Sequence, residues 1–295
     1  MPELTITDSA DRLQVVAGGQ PLFDYVHHPE TPQLESPKPY LHPLHTLGGE
    51  LVSLFRPHDH VWHKGISLAL PNVDTENFWG GPTYVRDQGY QQLPNNGTQR
   101  HESFPRAEVI DGVATVEEKL SWITEAGALW FDETRRLEAT VIAPDAWRLT
   151  FATELVSRRD EPTVFGSPTT EGRELAGYGG VFWRGPRSFN RGRILASGGR
   201  EGPELMGERA DWLAYVGRHD GSGTYSTLIF IDRPENLQHP TQWFVRDDPY
   251  ACISPAPFFD TRYELAAGAT LRLTYDVVIG DGGWDPERIS AAASR

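Results

Sequence analysis

Residues 147–155 read Trp-Arg-Leu-Thr-Phe-Ala-Thr-Glu-Leu, and their side chains alternate in character. Odd-numbered positions carry large apolar groups, with Thr153 as the polar member, whereas even-numbered positions carry Arg, Thr, Ala and Glu. Successive side chains of a strand point to opposite faces of a sheet, so this segment is predicted to be a strand with one buried face. Such alternation is typical of antiparallel sheets with one solvated face, because buried parallel strands are apolar throughout.

The same alternation recurs on both sides of this strand. It predicts further strands at residues 4–7, 13–17, 113–122 and 270–280. Short apolar segments predict three more strands, at residues 66–70, 212–218 and 225–232. Glycine and proline are frequent, with 29 and 23 residues, and separate these segments at the intervals of a β-sandwich. A helix is predicted at the end of the chain, where Asp285 can cap its first turn and Pro286 suits the first helical position. The sequence therefore predicts an all-β protein, a large antiparallel two-sheet β-sandwich with few short helices, which forms one domain over residues 1–295.

Composition excludes several classes of protein. The net charge of −14 argues against a nucleic-acid surface, because phosphate binding requires basic patches. No segment approaches the ~18 consecutive apolar residues of a membrane helix, and the first residues lack the regions of a signal peptide. The single cysteine, Cys252, excludes an internal disulfide framework and fits a reducing compartment. We therefore expect a soluble, cytoplasmic protein with neither nucleic acid nor membrane as partner.

Residues 56–65 read Arg-Pro-His-Asp-His-Val-Trp-His-Lys-Gly and gather three histidines, a carboxylate and an ammonium. Burying such groups beside an apolar strand is costly without a purpose, so this segment is predicted to form the rim or floor of a site. His60 and His63 could act as general acid and base, since imidazole titrates near neutrality. In a second interpretation, His58, His60 and His63 ligate a divalent metal, and in a third they are structural. The sequence leaves these three interpretations open.

Further polar residues are candidates for the same site. His101 and Glu102 follow a turn, and neighbouring residues of a strand point to opposite faces, so only one of them, preferably His101, is expected to enter a pocket. Arg184 lies in the glycine-rich segment 177–187 and offers a fork of donors for oxygen atoms. It alternates with Trp183, so one of the two is expected in the core and the other at the site.

Aromatic residues indicate a sugar as the ligand. The chain has nine tryptophans, and pockets for small molecules combine aromatic walls with a few placed polar groups. Trp243 is a candidate platform for a sugar ring, with an ordinary core tryptophan as the alternative. Two long loops, residues 27–43 and 165–190, are expected to be functional because long structured loops in compact domains usually are.

Taken in order, these motifs resemble the soluble bacterial PmoA-like family. The pattern is Asp-His-x-x-His-Lys-Gly, an apolar strand, Asn-Phe-Trp-Gly, an isolated His, Gly-Gly-x-x-x-Arg and His-Pro-x-x-Trp-Phe. It is carried here by Asp59, His60, His63, Lys64 and Gly65; Asn77 to Gly80; His101; Gly179, Gly180 and Arg184; and His239, Pro240, Trp243 and Phe244. The resemblance spans roughly residues 39–282. The methane oxygenase activity in the family name is not expected, because that membrane-bound subunit needs several spanning helices.

The resemblance implies a fold similar to the galactose-mutarotase supersandwich and a carbohydrate-related role. Mutarotases combine a histidine acid with a carboxylate base on a concave sheet. The histidines of this chain match that arrangement in kind, and Asp59, Glu102 and Glu171 are all candidates for the carboxylate.

We therefore expect a carbohydrate-active enzyme that acts on a sugar or keto-sugar derivative by acid/base chemistry, as an epimerase, a lyase or a glycoside-cleaving enzyme. Protons would be moved by His60, His63 and His101, with Asp59 orienting one imidazole. The substrate would be held by Lys64, Trp79, Glu102, Arg184, His239 and Trp243. The partner would be a small-molecule carbohydrate; no cofactor is expected, and a divalent metal and a homo-oligomer are left open. The alternatives are a non-catalytic carbohydrate-binding protein and a metal-dependent hydrolase or oxygenase.

Overall fold

A computed structural model describes residues 1–294 of the chain. Its strands, numbered along the chain, are β1 (Leu4–Asp8), β2 (Arg12–Ala17), β3 (Gln20–Val26), β4 (Tyr40–Leu44), β5 (Ile66–Ala69), β6 (Asn72–Val73), β7 (Thr83–Val85), β8 (Gly89–Gln91), β9 (Thr98–Ile110), β10 (Val113–Ile123), β11 (Leu129–Ala143), β12 (Ala146–Ser157), β13 (Thr163–Gly166), β14 (Gly180–Arg184), β15 (Arg193–Ala196), β16 (Arg200–Glu201), β17 (Trp212–Arg218), β18 (Tyr225–Asp232), β19 (Trp243–Arg246), β20 (Cys252–Pro255), β21 (Tyr263–Leu265) and β22 (Thr270–Asp281). The helical elements are α1 (Pro286–Ala293) and three 3₁₀ turns at Gln33–Glu35, Arg187–Phe189 and Pro203–Leu205.

Two large antiparallel sheets dominate the fold. One has eight strands in the order β1-β2-β3-β4-β5-β14-β20-β19, and the other has nine in the order β16-β15-β17-β18-β22-β12-β11-β10-β9. A three-stranded sheet, β21-β13-β6, and the hairpin β7-β8 complete the pairing. The predicted fold class, an all-β protein built on a large antiparallel two-sheet sandwich, is therefore confirmed.

The alternating segment 147–155 forms most of β12, in the middle of the larger sheet. On β12, Trp147, Leu149, Phe151 and Leu155 are all fully buried, in one core with residues of both sheets. Burial of each such side chain stabilises the fold by about 1.5–3 kcal/mol. The polar member of that face, Thr153, is also buried and is satisfied by a hydrogen bond to Glu133.

Other predicted elements also form as expected. The segments 212–218 and 225–232 match β17 and β18, and 113–122 and 270–280 match β10 and β22 to within one residue at their ends. The helix α1 begins as predicted, with the Asp285 side chain accepting a hydrogen bond from the Arg288 backbone N–H at 2.8 Å. Within residues 1–294, no helix is both long and apolar enough to cross a membrane.

The two predicted loops are more regular than expected. The segment 27–43 contains a 3₁₀ turn and most of β4, whereas 165–190 contains the end of β13, all of β14 and a second 3₁₀ turn. Both strands are too short to show a clear alternation, so sequence periodicity could not reveal them.

The histidine-rich segment 56–65 is the last part of the connection from β4 to β5, a strand that is followed by β14, β20 and β19 in the smaller of the two large sheets. Gly65 ends this segment with φ of +54°. A Cβ at this position would lie 2.0 Å from the carbonyl oxygen of Leu41 on β4. Only glycine therefore allows the segment to enter β5 at such close approach to its neighbouring strand.

Candidate functional site

A cavity of about 390 Å³ opens where the histidine-rich segment meets the ends of β14, β19 and β20. It is lined by His60, Trp62, His63, Trp79, Gly80, Pro82, Tyr90, Arg173, Tyr178, Phe244, Arg246, Pro249 and Tyr250. The set combines two imidazoles, two guanidinium groups and six Trp, Tyr or Phe side chains, which is the composition expected of a small-molecule site.

The alternation of the strands decides which side chains reach this side of the sheet. On β14, Trp183 points into the core, where its Nε1–H donates to the backbone carbonyl of Val52 at 2.7 Å. Its neighbour Arg184 points the other way, toward the histidine-rich segment. On β19, Phe244 and Arg246 line the cavity, two positions apart as a strand requires.

Arg184 organises the histidine-rich segment from behind. Its side chain is fully buried, and it donates to Asp59 Oδ2 at 3.0 Å and to His63 Nδ1 at 2.9 Å. The guanidinium also lies over the ring of Tyr250, 3.8 Å from its centre. Arg184 does not line the cavity, so it positions other groups and does not hold the ligand itself. Arg187 donates to the other oxygen of Asp59 at 3.0 Å.

Asp59 fixes the orientation of His60. Although partial burial favours the neutral acid, Arg184 and His60 hold the pKa of Asp59 well below its usual range. The ionised carboxylate can only accept, so His60 donates its Nδ1–H to Asp59 Oδ2 at 3.2 Å. The nitrogen left to the cavity is Nε2, whose lone pair can accept a proton. Burial lowers the pKa of His60 below 6.5, partly opposed by Asp59, so the neutral ring predominates at pH 7.

His63 is held in the opposite tautomer to His60. A guanidinium can only donate, so His63 Nδ1 accepts from Arg184 and the ring proton lies on Nε2. Burial lowers the pKa of His63 well below its ordinary value, and the neighbouring His60 and Arg184 lower it further. The two rings stack with their centres 4.6 Å apart and their planes 13° from parallel. One ring therefore offers a lone pair and the other a donor, side by side.

Aromatic side chains form the walls. Trp79 packs against Tyr178 with ring centres 4.6 Å apart, and Trp62 meets His60 edge to face at 5.4 Å. The Tyr178 hydroxyl lies 3.0 Å from that of Tyr90, so the hairpin β7-β8 closes one side of the cavity. These flat apolar faces suit the C–H side of a sugar ring.

Two guanidinium groups at the cavity have no carboxylate partner within 4 Å among residues 1–294. Arg173 contacts the hydroxyl and the ring of Tyr90. Arg246 lies over Phe244, and its Nε atom is buried without a hydrogen-bond partner. By contrast, Arg184 is paired with the carboxylate of Asp59. The cavity is thus locally positive in a protein whose net charge is −14.

Lys64 does not reach the cavity, contrary to the sequence prediction. Its ammonium is fully buried and donates to Glu35 Oε2 at 2.5 Å, while Arg56 binds Oε1 of the same carboxylate at 2.6 Å. Nearby, the buried Lys38 donates to three backbone carbonyls, including those of Glu35 and Trp79. These contacts fasten the segment around Glu35 to the segment that carries Trp79.

Three other predicted ligand-holding residues also lie elsewhere. Trp243 is a fully buried core residue whose Nε1–H donates to the Ala210 carbonyl at 2.8 Å. His239 faces Asp232 at 2.8 Å, and Glu102 pairs with Arg100 on an outer part of β9. Glu171, a candidate carboxylate, pairs with Arg262. None of these side chains lines the cavity.

His101 does not meet His60 and His63. It lies on β9 of the other large sheet, where its Nδ1 is 2.7 Å from Glu118 and its ring contacts His27 and His28. Separation along the sequence gives no information on which sheet face a histidine joins, so this placement required the structure.

The predicted metal set of His58, His60 and His63 is also not assembled. Among residues 1–294, their ring nitrogens do not approach one another closely enough to share an ion. The Nδ1 atoms of the three rings instead face Arg187, Asp59 and Arg184 respectively. Among residues 1–294, the cluster of histidines that approach one another closely enough is instead His27, His28 and His101.

Several lining residues were not singled out from the sequence. Tyr178 lies in the glycine-rich segment 177–187, and Arg246 follows the His-Pro-x-x-Trp-Phe motif by two residues, so their proximity in sequence to Arg184 and Trp243 was a usable signal. Arg173 and Tyr90 come from loops and a short hairpin whose position depends on tertiary packing.

The fold and the site define this chain as a two-sheet β-sandwich protein with a histidine- and arginine-containing cavity. The chain belongs to the family described as "Family of unknown function (DUF6807)", which matches residues 12–294. A search of curated proteins finds no relative by sequence.

Solved structures with a similar overall arrangement include a galactose 1-epimerase from Lactobacillus acidophilus, with 9% identity and a TM-score of 0.44 over 96% of this chain and 100% of that one. An alpha-galactosidase from Lactobacillus brevis has 10% identity and a TM-score of 0.39, and the match covers 95% of this chain but 40% of the galactosidase. A galactose mutarotase related enzyme from Lactobacillus acidophilus has 12% identity and a TM-score of 0.31, over 95% of this chain and 100% of that one. The fold assignment above rests on the strands of the chain itself.

Proposed function

We propose that this protein is a carbohydrate-active enzyme that acts on a sugar or keto-sugar derivative by histidine-based acid/base chemistry. The observation that carries the proposal is the pair of stacked imidazoles, His60 and His63, held in opposite tautomers at the wall of an aromatic cavity. A general base and a hydrogen-bond donor placed side by side are the smallest set of groups needed to move a proton next to an oxygen atom. We also propose that the chain is related to the PmoA-like family, which its sequence motifs resemble.

In the proposed reaction, His60 Nε2 takes a proton from the substrate, and the imidazolium that forms is stabilised by Asp59. The Nε2–H of His63 donates to the substrate oxygen on which negative charge develops, as in an enolate or an opening hemiacetal. Return of the proton from His60 to another position completes an isomerisation, whereas departure of a β-substituent with its electron pair completes an elimination. Arg184 keeps His63 in the donating tautomer throughout.

The lining favours an epimerase or a lyase over glycoside cleavage. Most glycosidases use two carboxyl groups on either side of the scissile bond. Among residues 1–294, no Asp or Glu side chain lines this cavity, and the nearest carboxylate in the network, Asp59, is engaged by two arginines.

An oxidised sugar derivative that carries a carboxylate fits the cavity best. Within the described residues 1–294, Arg173 and Arg246 have no acidic partner, and Arg246 leaves a buried Nε donor unused. Guanidinium groups bind carboxylates through charge-assisted, often bidentate hydrogen bonds. We therefore place the acid group of the ligand toward Arg246 and its ring between the aromatic walls.

The experiment that tests this function is a binding and turnover screen with matched neutral sugars, keto-sugars and sugar acids. Replacement of Arg246 by glutamine is expected to weaken binding of the acids roughly 10- to 100-fold, because a hydrogen bond to a charged group contributes about 1.5–3 kcal/mol. Binding of the neutral analogues should change much less. The control is Arg218→Gln, which removes an exposed arginine that stacks on Tyr225 away from the cavity. Equal losses for acids and neutral sugars would contradict the assigned role of Arg246.

The alternative is a carbohydrate-binding protein without catalysis, and the aromatic walls favour it as well. The same screen separates the two. An enzyme converts at least one of the bound sugars, as observed by NMR of the mixture, whereas a binding protein returns every ligand unchanged.

A pH profile gives a second test. His60 works as a base only when neutral, and its pKa is lowered from 6.5 by burial. Because a lowered pKa keeps the neutral form to lower pH, the midpoint of the acidic limb of kcat/KM is expected to lie below pH 6.5. Asp59 raises the pKa of His60, so Asp59→Asn should move this acidic limb to still lower pH. A limb above pH 6.5, or a shift upward in the Asp59→Asn variant, would contradict the assignment of His60 as the base.

A further inference from the structure

We infer that His27, His28 and His101 form a binding site for a divalent transition-metal ion, with zinc as the preferred occupant. One ring nitrogen from each residue lies within 4.8 Å of the others. The ring centres are 4.6 Å apart for His27–His28 and His27–His101, and 4.9 Å apart for His28–His101. This cluster shares no residue with the cavity described above, so the inference is independent of the proposed function.

His27 carries the strongest evidence. Its side chain is buried, with 5% exposure, yet neither Nδ1 nor Nε2 has a hydrogen-bond partner of ordinary geometry among residues 1–294. Buried polar atoms in proteins are nearly always satisfied, so an unpartnered imidazole points to a missing ligand. The rings of His28 and His101 both contact the His27 ring, and they could supply the remaining nitrogens around one ion.

His101 is prepared for ligation by a carboxylate behind it. Its Nδ1 lies 2.7 Å from Glu118 Oε1, and the other oxygen of Glu118 accepts from the hydroxyl of Tyr25. Glu118 is almost fully buried on β10. A carboxylate that holds Nδ1–H directs the Nε2 lone pair of the ring outward, which is the usual support behind a metal-bound histidine.

The geometry of the cluster allows three nitrogens to reach one cation, since one ring nitrogen from each residue lies within 4.8 Å of the others. His28 is exposed and gives the ion a route from solvent.

Three imidazoles without a thiolate suit Zn²⁺, Ni²⁺ and Cu²⁺ better than Mg²⁺ or Ca²⁺, which prefer oxygen ligands. Three histidines also leave a fourth tetrahedral position for water. His27 and His28 directly follow β3, whereas His101 belongs to β9 in the other large sheet. A bound ion would therefore tie the two sheets together at this edge.

The test uses the full chain after removal of metals with a chelator. Zn²⁺ is titrated by calorimetry, and Co²⁺ by visible absorption, which reports tetrahedral nitrogen coordination. We expect one ion per chain and a higher unfolding temperature with Zn²⁺, because an ion that binds only the folded state stabilises it. Replacement of the exposed His28 by alanine should lower the affinity at least about 10- to 100-fold, the scale on which even supporting residues affect metal sites.

His58→Ala is the matched control, since His58 is an exposed histidine from the other cluster and should leave the affinity unchanged. A His27→Gln variant that keeps the native circular dichroism spectrum should also lose the Co²⁺ bands. The proposal is overturned by the absence of saturable Zn²⁺ or Co²⁺ binding, by a wild-type affinity in His28→Ala, or by a loss of affinity in His58→Ala.

Discussion

Replacement of His60 by alanine is expected to lower kcat/KM by about 10²–10⁴-fold on the substrate found in the screen, the range attributed to a positioned general base. The reason is that His60 is the lining residue whose Nε2 lone pair is free, since its Nδ1–H is donated to Asp59. The fold should survive, because the side chain is one-third exposed and lies outside the cores of both large sheets. Steady-state kinetics and thermal unfolding of the same preparations check the two expectations.

The control for this variant is His58→Ala. His58 contacts Arg187 and does not line the cavity, so its removal should leave kcat/KM close to the wild-type value. If His60→Ala retains wild-type turnover, His60 is not the base. If binding is retained and no variant, including the wild type, shows turnover on any ligand of the panel, the carbohydrate-binding alternative is correct.

Replacement of Glu35 by glutamine is expected to destabilise the protein by about 3–5 kcal/mol, the cost of removing one partner of a buried ion pair. The side chains of Glu35 and Lys64 are both almost completely buried, and the Lys64 ammonium lies 2.5 Å from the Glu35 carboxylate. Without the carboxylate, Lys64 would keep a charge in the interior with no counter-charge. Urea unfolding at pH 7 measures the difference.

The matched control is Arg56→Gln, which removes the other cation on Glu35. Arg56 is 40% exposed, so its loss should cost about 1 kcal/mol or less. The pH dependence provides a second check. Burial opposes the ionisation of Glu35, but Arg56 and Lys64 keep its pKa below 4.5, so the pair contributes above that pH and loses its contribution as pH falls. The difference between wild type and Glu35→Gln should therefore shrink in acid, and a small, pH-independent difference would refute this account.

Much of the fold was predictable because burial imposes a period of two on strands with one wet face. Residues 147–155 show this clearly, since every large apolar side chain of the segment is buried in β12. Short strands such as β4 and β14 escaped the same argument, because four or five residues fit several patterns.

The part of the candidate site that comes from one continuous segment was predictable from the sequence. The part that depends on which face of a strand each residue occupies was not. Residues 56–65 bring His60 and His63 to the cavity together, as their spacing suggested. Trp243 and Phe244 are neighbours on β19, yet the first lies in the core and the second on the wall. A shift of one residue reverses the two faces, and a single sequence does not fix which face meets the cavity.

The stacked imidazoles of the cavity also favour certain hydroxyl groups over other ligands. A hydroxyl can donate to His60 Nε2 and accept from His63 Nε2–H at the same time. An ether oxygen has no proton for the first ring, and an ammonium group has no lone pair for the second. Recognition would then depend on the direction of an O–H bond as well as on the place of its oxygen, which would let the cavity distinguish two epimers that put an oxygen in nearly the same position.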